Sequence, residues 1–528
     1  MKTIRYKLGI DVGGTTLDFA VVDSQANLLF SYKLPIVTPL EQSIEIGILE
    51  LISTYDFDPK NCLGIHIGTT IAINALLNLN SLYKVGILRI AGHSPELPPA
   101  YEFPSKVRTA IFSGYETISG GRELDNQAIS GLKTSEIILA VNKLLSAGAE
   151  AIGIIAVFSP LYIEDECFAE AVIREHFKTH VPITLSHQLG SLGFIQRENN
   201  TLINTALKKT MSDSISSFSH CFNELGFICQ FHMTQNNGTL ISFDEAIQFP
   251  LKTISSGPTN SLVGACKLTG LQNAIVVDIG GTSTDIGIVE NAFPHSSSQS
   301  ARIADLPLSF TLPHLKIIAL GGGSIFNHTS EGYVPNGSLG AAIFSESQSV
   351  GGNYLTFFDI GNILNETLLP KNHTIKIDKN QAKAIMQFSI KKILEVVDSI
   401  NFSRNLPIIL VGGGAQIIPN EFLDKRFIRP KHYNVANAYG AALAEISGVI
   451  SRIICLDKDP EIKLQALENE VREIAIANGS EPNKVRLIEK KLLPLFYMPN
   501  QMTLVHMLAA GPCKNALPNE VNFLYQES

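Results

Sequence analysis

The chain has 528 residues, 45% of them hydrophobic and 17% charged, with a net charge of −8. That length exceeds what one hydrophobic core organises and predicts about three compact units, and the apolar fraction excludes a disordered or fibrous chain. The negative balance excludes a broad nucleic-acid or anionic-membrane surface, since both need a basic field.

The first apolar run, Leu8–Val12, is broken by Asp11 and lacks a small-residue cleavage site, so it reads as a strand and not a leader. It opens the stretch Leu8-Gly-Ile-Asp-Val-Gly-Gly-Thr-Thr-Leu-Asp-Phe, which recurs as Val276-Val-Asp-Ile-Gly-Gly-Thr-Ser-Thr-Asp-Ile. In each copy an apolar strand enters Gly-Gly and leaves through an alternating segment, the pattern of a tight hairpin. Glycine is expected there for positive backbone angles. The repeat predicts two related lobes.

Between the copies the pattern alternates: a helix over 135–146, a buried strand over 152–158, a helix over 165–177 and a strand over 183–185. The apolar strand ends at Ser159-Pro160, far short of the ~20 residues that span a bilayer. Leu207, Met211, Ile215, Phe218, Phe222 and Leu225 step by three or four along a helix over 198–225 and read as a core stripe. Further helices are predicted over 381–400 and 436–449, with a strand over 408–411 between them, then a charged helix over 460–478 and a strand-rich tail over 485–508. The division expected is 1–190 for a first lobe with an inserted α/β subdomain, 191–455 for a second lobe, and 456–528 for a small helix-plus-strand module.

The two D-x-G-G-T-x-x-D hairpins carry the strongest chemical signal. Close approach of backbone N–H groups to a phosphate needs residues without a Cβ, and neighbouring hydroxyls add donors. Gly13, Gly14, Thr15 and Thr16 meet this requirement, as do Gly280, Gly281, Thr282 and Ser283. Asp11 and Asp278 stand one residue before each turn, where a carboxylate can hold a hydrated Mg²⁺ bridging nucleotide phosphates. Asp18 and Asp285 read more simply as acceptors of backbone N–H bonds beside a turn. Gly321, Gly322 and Gly323 follow an apolar strand and are candidates for phosphate or substrate contact, while Gly412, Gly413 and Gly414 suit packing of an adenosine moiety against backbone.

Ser255-Ser-Gly-Pro-Thr259 reads as a helix start whose hydroxyls cap it or whose N–H groups bind an anion. Thr69 and Thr70, joining a strand to a helix, are caps or pocket donors. Seven cysteines, an odd number without a C-x-x-C pair, point to reduced thiols in the cytoplasm. Thirteen histidines show no H-x-x-x-H or H-E-x-x-H pattern, and His66, His187 and His314 are expected to satisfy local hydrogen bonds. No G-x-S-x-G elbow is present.

GIDVGGTTLD, HIGTTIAINALL, RENNTLINTAL, SSGPTNSLVGA, VVDIGGTSTDIG, ALGGGSI and LVGGGA, in that order, resemble the hydantoinase A/5-oxoprolinase family of the actin, hexokinase and heat-shock ATPase superfamily. The resemblance covers residues 8 to about 450. It implies a two-lobed actin-like α/β fold, use of ATP with Mg²⁺ held by Asp11 and Asp278, and a cyclic amide such as a hydantoin or 5-oxoproline as substrate. It also implies a hydantoinase B-like or other ring-opening partner subunit. Thr69, Thr70, Asn74, Glu198, Asn199, Asn204, Ser256 and Gly257 would lie near the cleft. The run Val334–Ala342 keeps only part of the family's glycine- and proline-rich stretch after GGGSI, which leaves the substrate open. Two other readings stay beside this one: a small-molecule kinase or ATP-using carboxylase subunit, and a nucleotide-gated regulator or reactivase that does no chemistry on a small substrate.

Overall fold

The computed structural model describes residues 4–514, apart from 15, 37–39, 93–96, 178–180, 191, 298–300, 304, 311, 330–331, 366–374, 402–404, 497 and 499. Its centre is a sheet begun by the first four strands, β1 (Tyr6–Val12), β2 (Thr16–Asp23), β3 (Leu28–Pro35) and β4 (Cys62–Thr69). β1 runs antiparallel to β2 and parallel to β4. Both faces of this hairpin are covered, with Leu8, Ile10, Leu17, Phe19 and Val21 buried on one and Ala20 and Val22 on the other, which explains the nearly continuous apolar run of β2.

The inserted unit is a parallel sheet of β5 (Val85–Ile90), β6 (Phe112–Ile118), β7 (Ala151–Ala156) and β8 (Ile183–Leu185), in the order β6-β5-β7-β8. Helices Thr134–Ser146 and Glu164–His176 cover it through Ile137, Val141, Ala169 and Ile173. The long helix Phe194–Glu224 follows, and the expected stripe from Leu207 to Phe222 is buried in the main core. β9 (Gln230–Thr234) and β10 (Thr239–Ser242) then return to the first sheet.

The second hairpin is β11 (Ala274–Ile279) and β12 (Thr284–Glu290), with Ile408–Val411 parallel to β11. Helix Lys379–Ile400, started by a capping box between Asp378 and Gln381, closes the core beneath it. The two halves therefore repeat one arrangement, an antiparallel hairpin whose first strand lies beside a parallel neighbour. This is the two-lobed actin-like α/β fold.

Where a helix was expected over 436–449, the helix stops at Ala442 and Glu445–Cys455 is a strand. Its β-branched residues Ile446, Val449, Ile450, Ile453 and Ile454 favour a pleated surface. Gly448 lets the helix Pro460–Ala477 press against it, since a Cβ there would lie 2.3 Å from the Val471 carbonyl oxygen. Arg486–Pro494 and Met502–Gly511 continue the same sheet. Among the described residues that sheet has nine strands, ordered Arg486–Pro494, Met502–Gly511, Glu445–Cys455, β10, β9, β4, β1, β2, β3. Sheet membership thus cuts across the boundaries at 190/191 and 455/456, because β9, β10 and the C-terminal strands all belong to the sheet of β1.

Candidate nucleotide site

The hairpin registers place carboxylates opposite one another. Asp11 pairs with Asp18 across β1 and β2, and Asp278 pairs with Asp285 across β11 and β12. Gly13 N–H closes the first turn on the Thr16 carbonyl at 3.0 Å, and Gly280 N–H closes the second on the Ser283 carbonyl at 2.9 Å. None of Gly13, Gly14, Gly280 and Gly281 has a positive φ, so the conformational reason expected for them does not hold. Space is the remaining reason: a Cβ on Gly14 or Gly281 would meet no chain atom within 4 Å, and both residues are exposed. A phosphate can therefore come close to their backbone. Thr15 lies outside the described residues.

Two helices bring the partners of Asp11. Ser256–Thr269 and Ala436–Ala442 cross at glycines, where a Cβ on Gly264 would lie 1.8 Å from the Ala436 oxygen and one on Gly440 would lie 2.0 Å from the Asn260 oxygen. The crossing delivers Asn260 Nδ2 to Asp11 Oδ1 at 3.0 Å and Asn437 Nδ2 to Asp11 Oδ2 at 3.0 Å. The same Asn437 nitrogen donates to Asp18 Oδ2 at 2.7 Å. Gly68, beside Asp11 in the register, is required by this packing, since its Cβ would meet Asn260 Nδ2 at 2.0 Å and Asp11 Oδ1 at 2.4 Å. Asp18 accepts from Asn437 and from Lys33, and so is not the backbone-bonding turn residue expected.

Burial pushes the Asp11 carboxyl up to about 7, against the pull of Asn260 and with Asp18 adding repulsion. Burial and then Asp278 push Asp285 up to about 7 as well. Burial raises Asp278, opposed by a hydrogen bond from Ser261 and the charge of Lys33. The two hairpins thus face one electrostatic site, since Asp278 is also among the charges that raise Asp11.

The glycine triples pack on the base of the second hairpin. Gly322 and Gly323 give their N–H groups to the Gly280 and Gly281 carbonyls at 2.9 and 2.7 Å, and Gly414 gives its own to Ile279 at 2.8 Å. A Cβ on Gly321 would collide with the Thr282 and Ser283 backbone at 2.7 Å. Gly412, with φ of +89°, would set a Cβ 2.0 Å from Asp278 Oδ1. These N–H groups shape the hairpin and are not free for phosphate. Among the described residues no partner takes the N–H of Gly14, Gly281 or Gly413.

Of the expected pocket residues, Thr69, Thr70, Asn74 and Ser256 gather at the end of β1. Ser256 Oγ accepts from Thr69 N–H at 3.2 Å and donates to the Thr69 carbonyl at 3.1 Å. Thr70 hydroxyl donates to the Val12 carbonyl at 3.1 Å and accepts from Asn74 Nδ2 at 3.1 Å. Gly257 adjoins Thr70. Neither Ser255 nor Thr70 caps its helix through its side chain.

Glu198, Asn199 and Asn204 are engaged elsewhere. Glu198 holds the fully buried Arg89 by two contacts of 2.6 and 2.7 Å. Asn199 reaches the Pro307 carbonyl at 3.5 Å, and Asn204 bridges the Gln248 carbonyl and Leu251 N–H. Asn260, Asn437 and Lys33 were not singled out by sequence reasoning. The first two face Asp11 only through the helix crossing, whereas Lys33 could have been found as the cross-strand partner of Asp18.

Mg²⁺ commonly keeps several waters and takes one or two carboxylates together with substrate phosphates. Among the described residues no group of three or more His, Cys, Asp and Glu side chains is placed to hold an ion unaided. Asp11 and Asp278, buried near each other at the roots of the two turns, fit the two-carboxylate pattern.

Paired hairpins, each with a carboxylate at its root, define a two-lobed α/β protein of the actin-like class. Residues 7–177 match the hydantoinase/oxoprolinase N-terminal region and residues 197–401 match hydantoinase/oxoprolinase; the chain belongs to this family. It is 28% identical to the caprolactamase subunit alpha of Pseudomonas jessenii over 62% of this chain and 49% of that protein. It is 24% identical to the acetophenone carboxylase gamma subunit of Aromatoleum aromaticum strain EbN1 over 60% of this chain and 47% of that one. The chain spans about half the length of these curated relatives. Among solved structures, the ATP-dependent caprolactamase from Pseudomonas jessenii superposes with a TM-score of 0.72 at 20% identity, covering 96% of this chain and 87% of that one. Nucleotide-free acetone carboxylase superposes with a TM-score of 0.68 at 16% identity, covering 99% and 90%.

Proposed function

We propose that this chain is the ATP-using component of a cyclic-amide hydrolase, acting on a lactam or hydantoin. The observation that carries the reading is that Asp11 and Asp278 stand at the roots of two open glycine turns, with the charge of Asp278 acting on Asp11. The family and the similarity to caprolactamase subunit alpha supply the substrate class. An amide carbonyl is a poor electrophile, and phosphorylating its oxygen makes that oxygen a leaving group. In the proposed sequence the carbonyl oxygen attacks the terminal phosphorus, an O–P bond forms, and the bond to ADP breaks. One water then opens the ring at its C–N bond to leave an acyl phosphate, which a second water hydrolyses.

Asp11 and Asp278 would hold Mg²⁺, which supplies charge neutralisation at the phosphates. The chain's own part is positional. Gly14 and Gly281 let the phosphates approach backbone, and Asn260 and Asn437 fix both oxygens of Asp11 so that its orientation precedes ligand binding. Because the match covers only about half of each curated relative, and both are named as subunits, ring opening is assigned to a partner subunit or domain.

The similarity to acetophenone carboxylase gamma subunit supports a second reading, an ATP-using carboxylase subunit. ADP release measured with lactams and hydantoins, and in parallel with ketones plus bicarbonate, with and without the candidate partner, separates the two. Stimulation by cyclic amides alone is expected; stimulation by ketone plus bicarbonate alone moves the assignment to the carboxylase, and none by either removes both.

A further inference from the structure

Lys33 lies on β3 directly across from Asp18, with Nζ 2.8 Å from Oδ1 and 3.1 Å from Oδ2. The same nitrogen reaches the other lobe, since a Cβ on Gly413 would stand 3.8 Å from it. Lys33 is therefore a cation set between the first hairpin and the glycine turn packed on the second, and its charge acts on Asp278 as well. Its side chain is 39% exposed while that of Asp18 is 4% exposed. The lysine side chain is open to solvent although its carboxylate partner is not.

Asp18 does not depend on Lys33 alone, because Asn437 Nδ2 stays 2.7 Å from its Oδ2. An ammonium on a flexible four-carbon stem can exchange that carboxylate for a more highly charged phosphate. We infer that Lys33 is a phosphate-contacting residue that turns from Asp18 to the terminal phosphate of the bound nucleotide. This rests on the nucleotide cleft proposed above and adds to it a residue that distinguishes ATP from ADP. A lysine that only neutralised Asp18 would be an ordinary half-exposed ion pair, and its loss would leave that discrimination unchanged.

The test is equilibrium binding of ATP and of ADP, each with Mg²⁺, to wild type, Lys33→Met, Lys33→Arg and Asp18→Asn, with thermal melts to confirm folding. The expected result is that Lys33→Met weakens ATP at least about tenfold more than ADP, that Lys33→Arg restores most of the difference, and that Asp18→Asn keeps the wild-type preference. The inference is overturned if Lys33→Met weakens both nucleotides equally or neither, with wild type binding both. If wild type binds neither nucleotide, the cleft assignment falls and the role of Lys33 falls with it. Should Lys33→Met not fold, the comparison of Lys33→Arg with Lys33→Gln decides the same question.

Discussion

Asn260 Nδ2 stands 3.0 Å from Asp11 Oδ1 across 249 residues of sequence. That contact ties the first hairpin to the helix that begins beside Thr69, and it is held by a helix crossing too close for any side chain larger than hydrogen at Gly264 and Gly440. Asn260→Ala removes one of two donors to a buried carboxylate, a loss of about 1–3 kcal/mol where a buried acceptor goes unsatisfied. A drop of that size in urea unfolding, with a larger fall in ATP turnover than in stability, is the expected outcome. Unchanged turnover would show that the orientation of Asp11 is immaterial.

Glu198 separates a pocket role from a structural one. Arg89 is fully buried and its guanidinium is held by both Glu198 oxygens, so Glu198→Ala leaves an uncompensated charge in the interior, at a cost of about 3–5 kcal/mol. The expected variant is strongly destabilised or fails to accumulate. A Glu198→Ala protein with wild-type stability and lost turnover would instead place this carboxylate at the chemistry.

The hairpins were legible because the determinants of a tight turn and of strand register are local: Asp11, Gly13, Gly14 and Asp18 lie within eight residues. The core stripe of Phe194–Glu224 was legible for the same reason. The start of the strand Glu445–Cys455, as far as Val449, was misread as helix because the preceding Ala436–Ala442 segment is helical and no proline or glycine pair marks the change. Asn260 and Asn437 carry no local signal, since their positions depend on the crossing of two helices 180 residues apart in chain order, read from Ser256 to Ala436. The glycine triples were read as contacts for phosphate, substrate or adenosine, whereas in the structure they pack against Ile279 and the Gly280–Ser283 turn.

His66 and His232 face each other in register on β4 and β9, with ring centroids 5.8 Å apart. Burial, reinforced by Lys7, holds both below the usual imidazole range, and His232 falls to about 4. The unfolded chain binds a proton near pH 6.5 that the folded chain refuses until about 4, so stability rises with pH across that window and is lost on acidification. His232→Gln cannot take up the proton, and its unfolding free energy should fall less steeply than wild type between pH 6.5 and 4. Identical slopes in urea melts across that range would contradict the account.

In the proposed function the two hairpins act on one nucleotide, each through the carboxylate at its root. Steady-state Mg²⁺-ATPase turnover of Asp11→Asn and Asp278→Asn, in the presence of the stimulating substrate and alongside thermal melts, tests it most directly. Each single variant is expected to stay folded and to lose at least about a hundredfold in turnover, roughly 2.7 kcal/mol of transition-state stabilisation. Near-normal turnover in either variant would contradict the shared site.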